Sequence, residues 1–129
     1  MMEFFLDLTP PTVTHQQKKV AIRGGRPRFY EPPRLAAARE TLTLHLKRHK
    51  PQEPFAGPVR LFVRWCFPKG RHKAGWKITR PDTDNLQKLL KDCMTDTGFW
   101  KDDALVCVEH VEKTWAERPG IYIRVEGLP

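Results

Sequence analysis

The run Val59-Arg60-Leu61-Phe62-Val63-Arg64-Trp65-Cys66-Phe67, closed by Pro68, constrains the fold more than any other part of this chain. Leu61, Val63, Trp65 and Phe67 alternate against Arg60, Phe62, Arg64 and Cys66, which is the period of an extended strand with one core face and one mixed face. A strand this aromatic and β-branched, with one core face, needs a layer over its apolar side. Helices can supply that layer. Leu35, Ala38, Leu42 and Leu46 recur at steps of three and four and predict a helix over 34–49, stopped by Pro51 and Pro54. Leu86, Leu89, Leu90, Cys93 and Met94 fall on one stripe of a second helix that ends at Gly98. The cations Lys47, Arg48, His49 and Lys50 at the end of the first helix suit the negative end of its dipole, so they are weak evidence for a ligand.

Shorter strands fill out the pattern. Glu3 to Leu8 alternates and ends at Thr9-Pro10-Pro11. Leu105–Trp115 and Gly120–Glu126 read as two strands joined by a turn at Glu117-Arg118-Pro119-Gly120, which predicts a hairpin. Residues 12–33, with Gly24, Gly25, Pro27, Pro32 and Pro33, read as a long irregular loop. Its Lys18, Lys19, Arg23, Arg26 and Arg28 beside Phe29 and Tyr30 suit a phosphate strand with stacked bases, or an exposed loop whose aromatics tuck back. These elements predict an α+β domain spanning 1–129, a small mixed sheet carrying two main helices. The chain has 129 residues, the length of one domain with one modest core. Met1-Met2-Glu3-Phe4-Phe5-Leu6 lacks the basic start and long apolar stretch of a signal peptide, and no apolar run is long enough to span a bilayer. Cys66, Cys93 and Cys107 are odd in number, lie in expected core segments and lack metal-binding spacing. They read as reduced thiols of a cytoplasmic protein.

Charge is the first pointer to function. The formal net charge is +8, and it is unevenly placed. Residues 1–80 hold 17 Lys and Arg against 5 Asp and Glu, whereas 81–129 hold 6 against 10. A polyanion gripped by the first part, beside a local acidic site in the second, accounts for that asymmetry; so does a generally basic protein with a solvated face. Lys69-Gly70-Arg71-His72-Lys73-Ala74-Gly75-Trp76-Lys77 forms a basic loop that leads through Arg80 to the acidic part. His72 there reads as a solvated loop residue, since nothing nearby completes a His-based metal site.

The acidic part consists of Asp82-Thr83-Asp84 and Asp102-Asp103 at the two ends of the second helix. Taken alone, Asp84 is a helix cap, with Gln87 three residues on completing a capping box, and Asp102-Asp103 is a polar turn. Taken together, paired carboxylates repel unless a cation sits between them. Asp82 and Asp84, two apart in extended backbone, project to one side, and Lys88 follows one turn later on the same face, off the leucine stripe. If the strand after Asp103 runs beside the strand or loop before Asp82, the two clusters meet. Hard oxygen donors of this kind suit Mg²⁺ or Mn²⁺. A metal so held activates water and steadies charge at phosphorus, while Lys88 neutralises phosphate oxygens or protonates the leaving 3′ oxygen.

The combination of Asp82-Thr83-Asp84-Asn85-Leu86-Gln87-Lys88 with Gly98-Phe99-Trp100-Lys101-Asp102-Asp103-Ala104 closely resembles the RusA family of Holliday-junction resolvases. Arg26-Pro27-Arg28-Phe29 resembles that family's basic N-terminal motif, and the likeness spans most of the chain. The resemblance implies a small homodimeric endodeoxyribonuclease, often prophage-borne, that uses Mg²⁺ or Mn²⁺ to make paired symmetric nicks in four-way junctions during DNA recombination and repair. It implies Asp82, Asp84 and Asp103 as essential acidic residues, Lys88 as the essential lysine and Asp102 as a supporting ligand. Arg26 and Arg28, with Lys69, Arg71, Lys73, Lys77 and Arg80 of the basic loop, are the expected DNA contacts. Relatives commonly carry Gln where this chain has Leu105, which bears on fine specificity. Two other readings stay open: a non-catalytic branched-DNA-binding protein, and a flap or branched-DNA nuclease of similar chemistry.

Overall fold

The computed structural model describes the backbone of residues 1–14, 19–23 and 26–129, and the side chains of 1–14 and 31–129. In order, the elements are β1 (Met2–Leu6), β2 (Lys19–Arg23), β3 (Arg26–Tyr30), α1 (Pro33–Lys47), β4 (Val59–Pro68), β5 (Gly75–Trp76), α2 (Thr83–Thr97), a 3₁₀ turn (Asp103–Leu105), β6 (Val106–Ala116) and β7 (Gly120–Gly127). Five strands form one mixed sheet in the order β1-β7-β4-β6-β5. The expected α+β architecture of a small mixed sheet and two main helices is therefore present.

β4 is the centre of the sheet, as its side chains require. Leu61, Val63 and Trp65 have no exposed surface, and their partners across the sheet continue the apolar row. Val63 lies opposite Ile123 of β7 on one side and Val111 of β6 on the other, and Ile123 in turn meets Phe4 of β1. Leu35, Leu42 and Leu46 of α1 and Leu86, Leu89, Leu90, Cys93 and Met94 of α2 close over that face. Each fully buried side chain of this size contributes roughly 1.5–3 kcal/mol relative to exposure. The opposite sheet face carries Arg64–Glu112 and Arg60–Glu126 ion pairs and a stack of Phe62 on His110. No helix among the described residues is long and apolar enough to cross a membrane.

Three local expectations are corrected. β6 and β7 are not a hairpin, because β4 lies between them, parallel to β6 and antiparallel to β7. β4 buries one face completely and takes a partner on each edge. The three-residue connection from Ala116 to Gly120 spans about 13 Å when extended, enough to cross two strand spacings of about 4.8 Å over the end of β4. The irregular loop expected over 12–33 contains the antiparallel pair β2–β3, with Val20 opposite Phe29 and Ala21 opposite Arg28. Cys66 and Cys93 are buried as expected, but Cys107 is exposed at the start of β6.

Candidate active site

β4, α2 and β6 make a β-α-β crossover, and that topology decides where the acidic residues lie. Because β6 is parallel to β4, α2 runs back along the sheet between them. Asp82 and Asp84 stand at its start, beside the far ends of β4 and β6, while Asp102 and Asp103 follow its end. α2 has 15 residues, about 22 Å at 1.5 Å per residue. The strand after Asp103 does run beside the strand before Asp82, but in the parallel sense, which separates the starts of the two acidic segments instead of superposing them.

At its start, α2 departs from the expected capping box. The N-cap is Asp82, not Asp84, and its side chain makes no capping hydrogen bond. Asp84 Oδ1 accepts from the Asn85 N–H at 3.0 Å. Gln87 is buried among the leucines, where its Oε1 accepts from Trp65 Nε1 at 2.7 Å and its Nε2 donates to Glu109 Oε2 at 3.0 Å. A side chain committed to the core cannot reach back to close a capping box. Asp82 and Asp84 are both exposed, and the Nδ2 of Asn85 between them and the core is buried without a partner among the described residues.

The end of α2 is fastened differently. Gly98 takes φ 97°, the left-handed conformation that glycine adopts without strain, and the Phe99 N–H bonds the Met94 carbonyl. Phe99 and Trp100 are buried, and Trp100 Nε1 donates to Thr95 Oγ1 at 2.8 Å. Asp102 and Asp103 emerge from this anchor. Asp102 Oδ1 accepts from the Ala104 N–H at 2.9 Å and so caps the 3₁₀ turn. Leu105, just beyond Asp102 and Asp103, packs against the core.

Between these ends lies a groove of about 320 Å³ lined by Lys88, Asp92, Thr95, Asp96, Lys101, Asp102 and Asp103. Four carboxylates and two ammoniums make it an acidic recess in a basic chain. Lys88 Nζ donates to Asp92 Oδ1 at 3.1 Å. That bond, with the charges of Asp92 and Asp103, holds the Lys88 ammonium above the ordinary lysine range. The structure thus brings Lys88, Asp102 and Asp103 to one groove, and Asp82 and Asp84 do not line it. Asp92 and Asp96 were not among the residues singled out from the sequence. The four-residue steps Lys88, Asp92, Asp96 were the signal that could have found them, since such positions share a helix face.

Carboxylate oxygens are the donors that Mg²⁺ and Mn²⁺ take. Among the described residues, however, no three His, Cys, Asp or Glu side chains are gathered so as to hold one ion. The donor chemistry suits such a metal, though the described residues do not gather three such side chains about one point.

The expected DNA contacts fall into three groups. Arg71, Lys73 and Arg80 are exposed and Lys69 is half-buried on the loop after β4. Lys77 is buried, its ammonium over the rings of Phe67 and Trp115 and bonded to Thr79 and Arg80. Burial, with the charge of Lys113 nearby, pushes its pKa below the ordinary value. The side chains of Arg26 and Arg28 lie outside the described residues. His72 is not simply solvated, because its ring stacks on Trp115 at 4.0 Å between centroids.

A family model described as endodeoxyribonuclease RusA matches residues 9–126. This chain belongs to the RusA endodeoxyribonuclease family. It is 33% identical over 127 residues to the crossover junction endodeoxyribonuclease rusA of Lactococcus phage r1t, a match covering 95% of this chain and 94% of that relative. Crossover junction endodeoxyribonuclease RusA of Shigella sonnei (strain Ss046) is 35% identical over 77 residues, covering 60% of this chain and 58% of the relative. The uncharacterized protein YqaN of Bacillus subtilis (strain 168) is 25% identical over 129 residues, covering 90% of both.

Proposed function

We propose that this chain is a structure-selective endodeoxyribonuclease that resolves Holliday junctions by paired symmetric phosphodiester cleavage, acting in the cytoplasm as a single domain spanning 1–129. The observation that carries the reading is the meeting of Lys88 and Asp103 at one acidic groove in a RusA-family chain of net charge +8. Family membership supports a nuclease acting on branched DNA, and the basic loop with Arg71, Lys73 and Arg80 exposed supports a polyanionic substrate. Asp82 and Asp84 at the start of α2 and Asp103 at the groove, with Asp102 in support, are the residues proposed to serve Mg²⁺ or Mn²⁺. Lys88 is the residue proposed to neutralise the phosphate oxygens or protonate the leaving 3′ oxygen, since its ammonium is exposed and firmly charged. Two matched cuts call for two copies of the site, which is the reason for proposing a homodimer.

The deciding experiment compares cleavage of a synthetic four-way junction, a flap and a plain duplex, each with Mg²⁺, with Mn²⁺ and with a chelator. Symmetric nicks in the junction that require the divalent ion support the proposal. Preferred flap cleavage would replace it with a branched-DNA nuclease. Tight, salt-sensitive binding without cleavage under either ion would replace it with a binding protein.

A further inference from the structure

Lys77, a buried cation of the basic loop, and Lys113, a half-buried lysine of β6, both direct their ammoniums onto backbone carbonyls. An ammonium has three donors. Lys77 Nζ lies 2.6 Å from Thr79 Oγ1, 3.3 Å from the Thr79 carbonyl and 2.5 Å from the Arg80 carbonyl. Lys113, from β6, puts its Nζ 2.7 Å from the Thr79 carbonyl and 2.7 Å from the Pro81 carbonyl. The carbonyls of the three residues that precede the α2 N-cap are therefore all held by these two side chains. The Lys77 N–H also bonds the Lys113 carbonyl at 3.1 Å, which ties the loop to β6 at the same place.

We propose that Lys77 and Lys113 are positioning residues, a clamp on the backbone of Thr79, Arg80 and Pro81 that sets where Asp82 and Asp84 enter α2. The inference rests on the proposed nuclease function for its link to cleavage, but the clamp itself is a property of the free protein. It accounts for a feature that charge alone does not: a lysine of the basic loop is buried, 6% exposed, with its ammonium over the rings of Phe67 and Trp115. Its partners are the Thr79 hydroxyl and two backbone carbonyls, and carbonyls need donors whenever they leave water. Asp82 and Asp84 are exposed and Asp82 makes no capping bond, so their placement comes from the chain before them. Small displacements of a reacting group are costly, about 10²-fold in rate for ~1 Å.

The test uses Lys77→Met and Lys113→Met in the full chain, which keep an unbranched stem of nearly the same length and remove the donors. A clamp predicts that single-turnover cleavage of pre-bound junction falls at least ~10-fold in each variant. Junction affinity then stays within ~2-fold of wild type, with an unchanged dependence on salt. In the DNA-free protein, amide exchange over 79–86 speeds up in both variants while the later turns of α2 keep their protection. Weaker binding with a salt slope reduced by about one per lysine, and an unchanged rate for bound junction, would make them phosphate contacts and overturn the proposal. Unchanged exchange over 79–86 would overturn it as well. If the wild type cleaves nothing, the nuclease reading fails, and exchange still decides the clamp. Should Lys77→Met not fold, Lys113→Met alone carries the comparison, since it removes the donors to the Thr79 and Pro81 carbonyls.

Discussion

At the start of α2, the residues before Asp82 are tied down by Lys77 and Lys113, and His72 stacks on Trp115 to hold the rest of the loop against the sheet. At its end, Asp102 and Asp103 hang from the buried pair Phe99 and Trp100 and then face a groove of other charges, Lys88, Asp92, Asp96 and Lys101. Both ends expose carboxylates, but the first is placed by hydrogen bonds to backbone and the second by burial of large rings. In each case the carboxylate owes its position to neighbours that do no chemistry. Asp82, Asp84 and Asp102 are exposed and Asp103 is half-buried, so amide replacements are expected to leave the chain folded, which makes the two ends separable by mutation.

The largest effect should come from Asp82→Asn and Asp103→Asn, one at each end. Each is expected to lower metal-dependent junction nicking by roughly 10²–10³-fold or more, with junction binding retained. If one variant cleaves at the wild-type rate, that end of α2 is not part of the site, and the comparison is broken. Lys88→Met comes next, with a fall of about 10²-fold in the single-turnover rate and a smaller change in affinity. A loss confined to affinity would move Lys88 from the reacting phosphate to the DNA backbone.

Gln87→Leu probes the core under the helix and not its charges. It leaves Trp65 Nε1 without its acceptor and removes the bond to Glu109, at an expected cost of about 1–3 kcal/mol in denaturant unfolding. A neutral result would mean that Trp65 finds another acceptor. The smallest effect lies on the opposite sheet face, far from both ends. Hydrogen bonds from His110 and Arg64 hold the Glu112 carboxyl below its ordinary pKa. A pKa lower in the folded state than in the unfolded one stabilises the protein above the unfolded value, and that stabilisation is lost as pH falls through the folded value. Arg64→Ala should therefore lose less stability than wild type on acidification, by under ~1 kcal/mol for a pair this exposed. Equal acid limbs in thermal unfolding would dissociate Glu112 from acid stability.

Much of the fold was legible because its signals are local. The alternation in β4 and the leucine stripe of α2 identify a core face without reference to anything distant, and both faces are buried as expected. The β6–β7 hairpin failed because strand order is settled by competition for the edges of β4, which adjacency in sequence does not record. The β2–β3 pair was hidden under Gly and Pro, residues that mark turns between short strands as readily as irregular loop. The capping box failed for a subtler reason. Asp82 and Asp84 are equally good caps by residue type, and Gln87, whose amide oxygen accepts from Trp65, cannot close a box onto Asp84.

The same division runs through the candidate site. The residue types of both acidic segments, the lysine one turn beyond Asp84 and the basic loop are written in the sequence, and they sufficed to indicate the RusA family. Their spatial relation was not, because a parallel crossover carries the chain the length of α2 between one acidic segment and the other. Lys77 shows the limit most plainly. Its charge, read along the chain, placed it among the DNA contacts, while packing against Phe67 and Trp115 turned that charge onto the backbone. Composition determines how many cations a chain carries; only tertiary structure decides which of them face a partner and which are used to hold the chain itself, because hydrogen-bond donors are spent on whatever acceptors burial brings within reach.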